Sequence, residues 1–180
     1  MGRARVHWWT KREDTIHAGI NTATTAIVFR PDLLTKTSAE RAARIDSIPD
    51  PLRRAKFHEL LENGLASHTF HDALVVFARL FRDMEAALAN GPWLVGQNFT
   101  LADGGLASFF FRLEQLDLAG MWREHFPRVT DWYTRMQARP SFQEAIVKYV
   151  SDRARATYAK HSEGIWSKVR ASFADVLKVI

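Results

Sequence analysis

Phe99-Thr100-Leu101-Ala102-Asp103-Gly104-Gly105-Leu106-Ala107-Ser108-Phe109-Phe110-Phe111 decides the fold class of this 180-residue chain. A threonine followed three residues later by an acid is the signature of a capping box. Thr100 accepts from the Asp103 amide while the Asp103 carboxylate accepts from the Thr100 amide. The helix start is thereby set locally, and Asp103 reads as a structural capping ligand rather than a general acid. Successive helical side chains point about 100° apart. Phe109, Phe110 and Phe111 therefore cannot share one neighbour, and together with Leu106, Leu113 and Leu116 they demand apolar surroundings on nearly every side. The expectation is a fully enclosed helix at the centre of a bundle, with Ala102, Gly104, Gly105 and Ser108 small enough to let another helix cross closely.

The flanking segments agree with an all-α helical bundle. Upstream, Phe70, Leu74, Phe77, Phe81, Met84 and Leu88 repeat at alternating steps of four and three, the stripe of a long amphipathic helix. Asn63-Gly64 bends or breaks the helical pattern that begins at Leu52, and Asn90-Gly91-Pro92 ends it. Near the N-terminus, Val6, Trp9, Glu13, Ile16, Ile20, Ala23 and Ile27 share one helix face, and Pro31 is expected to close that helix. A polar connection with at most a short helix follows, from Asp32 to Asp50. Downstream, Pro127 opens a helix that carries Val129, Trp132 and Met136 inward, and Arg139-Pro140 breaks and restarts the chain. Glu114 and Asp117 read as solvated charges near a helix end. Residues 151–180 carry Ile165, Trp166, Val169, Phe173, Val176 and Ile180 at helical spacing, an apolar stripe that must cover something. No stretch alternates in the manner of a strand.

Composition removes whole classes of function. Hydrophobic residues at 47% and charged residues at 25% are ordinary for a folded globular chain. There are no cysteines, so disulfides, thiolate metal sites and cysteine nucleophiles are excluded. The 25 basic and 20 acidic residues give a formal charge of +5. They are spread over both halves of the chain, whereas nucleic-acid binding needs a clustered basic face, so no nucleic-acid partner is expected. His68 and His71 share a helix face but lack further ligands, and no metal site is expected. No apolar run of membrane-spanning length occurs and the N-terminus does not read as a signal peptide. The expectation is no membrane partner and a cytoplasmic location.

Trp93-Leu94-Val95-Gly96-Gln97-Asn98-Phe99-Thr100-Leu101-Ala102-Asp103, then Phe126-Pro127-x-Val129-x-x-Trp132, then Arg139-Pro140-Ser141-Phe142 resembles, in order and spacing, the C-terminal helical domain of cytosolic glutathione S-transferases. The opening Trp9-Thr10-Lys11 with Asp14 looks most like the bacterial group of lignin β-etherases and related reductive dehalogenating transferases. One departure stands inside the motif. The family has a branched apolar residue after the capping acid, where this chain has Gly104, so Phe99 must find another packing partner.

The resemblance implies a helical domain over residues 1–150 with a C-terminal helical extension over 151–180. It implies glutathione as cosubstrate, a small apolar electrophile and a homodimer. In the family the thiol is bound and activated by an N-terminal thioredoxin-like domain. This chain begins at the first helix of the second domain, so most of the glutathione site and every catalytic group are expected to lie outside it. What remains is half of the electrophile pocket, for which Arg5, Trp8, Arg12 and Thr15 on the first helix are the substrate-binding candidates. Two readings stay open. In one the chain is the electrophile-pocket and dimerisation domain of a transferase, active only when a thioredoxin-like domain is supplied. In the other it is a non-catalytic interaction or ligand-binding module with the same helical fold. Whether the chain is an enzyme is left undecided.

Overall fold

A computed structural model describes residues 2–180, and among them every regular element is helical. The first helix, α1 (Gly2–Thr24), does not stop at Pro31 as the sequence suggested. It passes through one π-helical turn, Thr25–Phe29, into α2 (Arg30–Leu34), which carries Pro31 in its first turn. A proline inside a helix has no N–H to give, and its ring meets the carbonyl four residues back. The π turn inserts one extra residue just before that point, with the Arg30 N–H reaching back to the Thr25 carbonyl, so the path widens instead of breaking.

The expected polar connection is likewise more ordered than its composition suggests. It contains α3 (Ser38–Asp46), whose N-terminus is a second capping box. The Glu40 N–H donates to the Thr37 hydroxyl at 3.2 Å and the Thr37 N–H donates to the Glu40 carboxylate at 2.8 Å. Asp50 then caps α4 (Pro51–Asn63) by accepting from the Leu52 and Arg53 amides. At Gly64 the chain turns with φ +57°, a left-handed value that favours glycine, so the Asn63-Gly64 signal is a break between two helices and not a bend. The Arg30 guanidinium donates to the Leu61 and Glu62 carbonyls at 2.8 and 3.0 Å and so satisfies the C-terminus of α4 from another helix.

Helix α5 (His68–Ala87) follows, with Phe70, Leu74, Phe77, Phe81 and Met84 all inaccessible or nearly so. Its N-terminus is capped by Ser67 and by the carboxylate of Glu59, which accepts from the His68 and Thr69 amides. After a tight turn closed by paired Trp93 and Gly96 hydrogen bonds comes α6 (Leu101–Gln115), the helix of the triple phenylalanine. The remaining elements are α7 (Gly120–Arg123), α8 (Pro127–Gln137), α9 (Pro140–Ala145), α10 (Asp152–Ser162) and α11 (Ile165–Val179). Helix α1 packs on α5 and α6, α8 packs on both of these, and α11 lies across α5 and α7. Ile165, Val169, Phe173 and Val176 of the last helix are buried in the same cluster as the rest of the core.

Helix α6 is central but not fully enclosed, which corrects the expectation. Phe110 is wholly buried, with Phe81, Trp122, Trp132 and Tyr133 rings at 4.9 to 5.5 Å, whereas Phe109 and Phe111 are half-buried and Leu101 and Ser108 face solvent. The covering helices leave one flank of α6 open, so the centre of the bundle is shared between α5 and α6. The close crossing foreseen from small residues is real at Gly105. A Cβ there would stand 1.9 Å from Glu13 Oε1 of α1, so glycine is what lets that carboxylate lie against α6.

Gly104 has no such neighbour. A Cβ added there would meet only Phe99 Cζ, at an ordinary 3.6 Å. Phe99 meanwhile packs edge-on against Trp93 at 5.4 Å and under the Arg139 guanidinium at 3.9 Å, the substitute partners the departure from the family pattern called for. Gly104→Ala is therefore expected to stabilise the chain by about 0.5–1 kcal/mol, by restoring helix propensity and adding one apolar contact. Urea unfolding midpoints of the two proteins check this, and a lower midpoint for the variant would refute it.

Candidate functional site

The structure places the capping-box residues at the heart of the fold. Asp103 is completely buried, yet four donors converge on its carboxylate. Oδ1 accepts from the Leu94 N–H at 3.0 Å and the Trp132 indole N–H at 2.9 Å. Oδ2 accepts from the Thr100 N–H at 2.9 Å and its hydroxyl at 3.1 Å. A carboxylate so completely occupied has no lone pair turned toward a cavity. It ties the 93–96 turn, the start of α6 and the middle of α8 together, and its role is structural.

Two further acids are not the solvated charges that the sequence suggested. Glu114 accepts from the Tyr133 hydroxyl at 2.9 Å and from Gln137 at 3.1 Å, and pairs with Arg123. Burial first, and then the adjacent Glu114 charge, push the Tyr133 phenol well above its usual range, so it stays protonated and serves as a fixed donor. Asp117, at φ +55°, accepts from the Trp166 N–H at 3.2 Å and so caps α11 from 49 residues away. Neither acid lines the two hollows beside α1.

The concave surface lies instead between α1 and α5. Arg5, Trp8 and Trp9 on α1 face Asp83, Ala86 and Ala87 on α5 across a hollow of about 270 Å³. Residues spaced three and four apart lie on one helix face, so both walls are legible as stripes once the two helices are known to be neighbours. The alanines create the hollow because they leave the flank of α5 without large side chains. Trp9 is buried and meets Trp8 edge-on at 4.8 Å, which leaves Trp8 48% exposed as an aromatic wall. The Arg12 guanidinium stacks on the Trp8 ring at 4.7 Å and forms an ion pair with Asp83.

Of the four candidates read from sequence, Arg5 and Trp8 line this hollow and Arg12 adjoins it through Asp83 and Trp8. Thr15 is exposed two turns further along α1, outside this hollow. Asp83, Ala86 and Ala87 were missed. On α5 alone they look like the ordinary flank of an amphipathic stripe, and only the packing of α1 makes them a wall.

A second, wider groove of about 570 Å³ runs between the first turns of α1 and the 95–101 segment. Val6, Thr10, Val95 and Leu101 line it, with Arg3 and His7 at one side, and Leu101 is 76% exposed. Near it Glu13 stands between α1 and α6, its carboxyl raised above the usual range chiefly by burial and also by the neighbouring Asp14. Among the described residues no group of three or more His, Asp or Glu side chains is placed to hold a metal ion, and no helix is long and apolar enough to cross a membrane.

Comparison with known proteins fits this architecture. Residues 71–140 match the family model described as glutathione S-transferase, C-terminal domain, a segment that runs from the first turn of α5 to the start of α9. A tetrachloro-p-hydroquinone reductive dehalogenase of Sphingobium chlorophenolicum is 28% identical over 145 residues, covering 77% of this chain and 58% of the relative. A 2,5-dichlorohydroquinone reductive dechlorinase of Sphingobium indicum is 38% identical over 69 residues, 37% of this chain and 20% of the relative. A disulfide-bond oxidoreductase of Escherichia coli is 31% identical over 72 residues, 39% of this chain and 31% of the relative. The chain thus spans between 20% and 58% of the length of these curated relatives. No solved structure matches it significantly.

Proposed function

We propose, on the premise that residues 71–140 belong to the glutathione S-transferase C-terminal domain family, that this chain supplies the electrophile-binding half of a bacterial glutathione-dependent enzyme acting on halogenated aromatics. The observation that carries the reading is the hollow between α1 and α5, with an aromatic wall, an alanine floor and an unpaired cation. Similarity to the Sphingobium chlorophenolicum dehalogenase over 145 residues supports it. Residues 1–150 form the family domain in this reading and 151–180 an extension docked on it. The chemistry is thiolate attack of glutathione on a ring carbon that bears halogen, the carbon–sulfur bond forming as the carbon–halogen bond breaks and halide leaves. This chain's part is to hold the ring and exclude water beside it, lowering the entropic part of the barrier. A thioredoxin-like domain binds the glutathione thiol and supplies its activating group, and a homodimer is the assembly the family favours.

Isothermal titration calorimetry of the chain with 2,5-dichlorohydroquinone under anaerobic conditions tests the reading. Saturable binding is expected, and it is expected to vanish in Ala86→Trp, which fills the hollow at a solvent-facing position. Failure to saturate, or binding that the tryptophan leaves untouched, removes the hollow as the substrate site.

A second reading, a protein-interaction module, is favoured by the exposed Leu101 and the wider groove beside it. In the first reading that apolar groove seats the thioredoxin-like domain. In the second it holds another protein, and the chain never takes part in turnover.

A further inference from the structure

The charges around the hollow do not cancel. Asp83 is the carboxylate that lines it, and Arg12 already neutralises that group through their ion pair. Arg5 lines the same hollow and takes part in no ion pair or side-chain hydrogen bond among the described residues. The other charged groups in this part of α5 are turned elsewhere. Arg82 is exposed outside the hollow, and Glu85 accepts from the Arg128 and Val129 amides and pairs with the Arg128 guanidinium on α8. No histidine lines the cavity. Two guanidiniums against one carboxylate therefore leave one positive charge, at the rim of a site whose walls are otherwise aromatic and aliphatic.

From this we infer that the hollow takes its aromatic ligand as the phenolate anion, with Arg5 as the residue that selects the ionised form. The inference rests on the pocket reading above and adds to it the charge state and the group that reads it. A plain phenol ionises near pH 10, as tyrosine does, but electron-withdrawing halogens stabilise the anion and bring ionisation down toward neutrality. A ring acidified in this way places its apolar face on Trp8 and over Ala86 and Ala87, while its oxygen accepts from the Arg5 guanidinium. A guanidinium donating to an anionic oxygen makes a charge-assisted hydrogen bond, stronger than a neutral one. The Arg12–Asp83 pair has a separate effect. By neutralising Asp83 it removes the repulsion that a second negative charge would otherwise meet, and it leaves Arg5 as the free cation.

The test is calorimetric binding of 2,4,6-trichlorophenol and of its methyl ether, 2,4,6-trichloroanisole, across the pH range in which the phenol ionises. The phenol is expected to bind about ten- to hundredfold more tightly once ionised, the increment typical of a hydrogen bond to a charged group. The ether is expected to bind weakly and with the same affinity at every pH. Arg5→Gln, at an exposed position where folding is not at stake, is expected to abolish the pH-dependent gain and keep the weak affinity shared with the ether. Asp83→Asn frees Arg12 as a second uncompensated cation and is expected to tighten phenolate binding. Equal affinity for phenol and ether at all pH values overturns the inference while leaving the pocket reading intact, as does an Arg5→Gln variant that keeps the full gain. Absence of saturable binding by either compound overturns the pocket reading itself, and the inference with it.

Discussion

Asp103→Ala is expected to lower the stability of this chain by about 3–5 kcal/mol, more than any surface change could, because it strands buried donors rather than merely deleting a bond. The Leu94 N–H and the Trp132 indole N–H both donate to Oδ1 from fully buried positions. Each donor left unpaired costs about 1–3 kcal/mol. The loss of the Thr100 contacts adds the cost of an uncapped helix, about 1 kcal/mol. Asp103→Asn keeps one acceptor oxygen but sets an amide N–H₂ against the donors on the other side, so its loss should be intermediate. Trp132→Phe removes one of the stranded donors in advance. The double variant Asp103→Ala, Trp132→Phe should therefore lose less than the two single variants summed, with a coupling of about 0.5–3 kcal/mol. Urea unfolding of the four proteins measures it. A loss below about 1 kcal/mol for Asp103→Ala, well short of the stranded-donor cost, would show that the carboxylate does not organise the core.

The second large effect concerns α11. A chain ending at Glu163 is expected to lose at least about 3 kcal/mol, since burying one side chain such as Val, Ile or Phe is worth about 1.5–3 kcal/mol. The deletion removes four of them, Ile165, Val169, Phe173 and Val176, and uncovers the faces of α5 and α7 beneath. The ordering of α11 itself offsets part of that gain, which is why the expectation is a floor and not a sum. Gly120→Ala approaches the same contact without shortening the chain. A Cβ at Gly120 would stand 2.2 Å from the Trp166 indole, so the ring must leave its seat and release its hydrogen bond to Glu124. Overpacking of this kind costs about 1–3 kcal/mol. Thermal unfolding of both variants is the measurement. A truncated chain that melts with the full-length protein would mean that the last helix is not docked in solution.

The candidate site was half legible. Arg5, Trp8 and Arg12 could be set on one face of the first helix because helical spacing is a property of that segment alone. Asp83 could not be joined to them, since an acid on the flank of an amphipathic helix looks solvated until α1 brings Arg12 across from 71 residues away. Thr15 shares the stripe but not the hollow, because the hollow depends on the alanines of α5 opposite and not on the α1 face. Pro31 misled for a related reason. Proline removes one backbone donor wherever it stands, but whether the chain ends its helix or widens into a π turn depends on what the flanking turns are packed against.

Helix caps divide most clearly between what local sequence determines and what assembly decides. Thr37 with Glu40, Asp50, Ser67 and Ser151 each bind amides two or three residues ahead, and Asp103 binds the Thr100 amide three residues behind it, so short-range spacing alone sets where those helices begin. Helices α8 and α11 begin with no side-chain cap of their own. Their first amides are satisfied by Glu85 and Asp117, 44 and 49 residues away. The all-α class, the buried face of each long helix and the Thr100–Asp103 start followed from the amino-acid sequence, because hydrogen bonds within one turn and a 3.6-residue period need no partner. The shared centre of α5 and α6, the long-range caps and the charge balance of the hollow came only from the tertiary structure. An acid or an arginine carries no sign in its own neighbourhood of which distant helix will supply its partner.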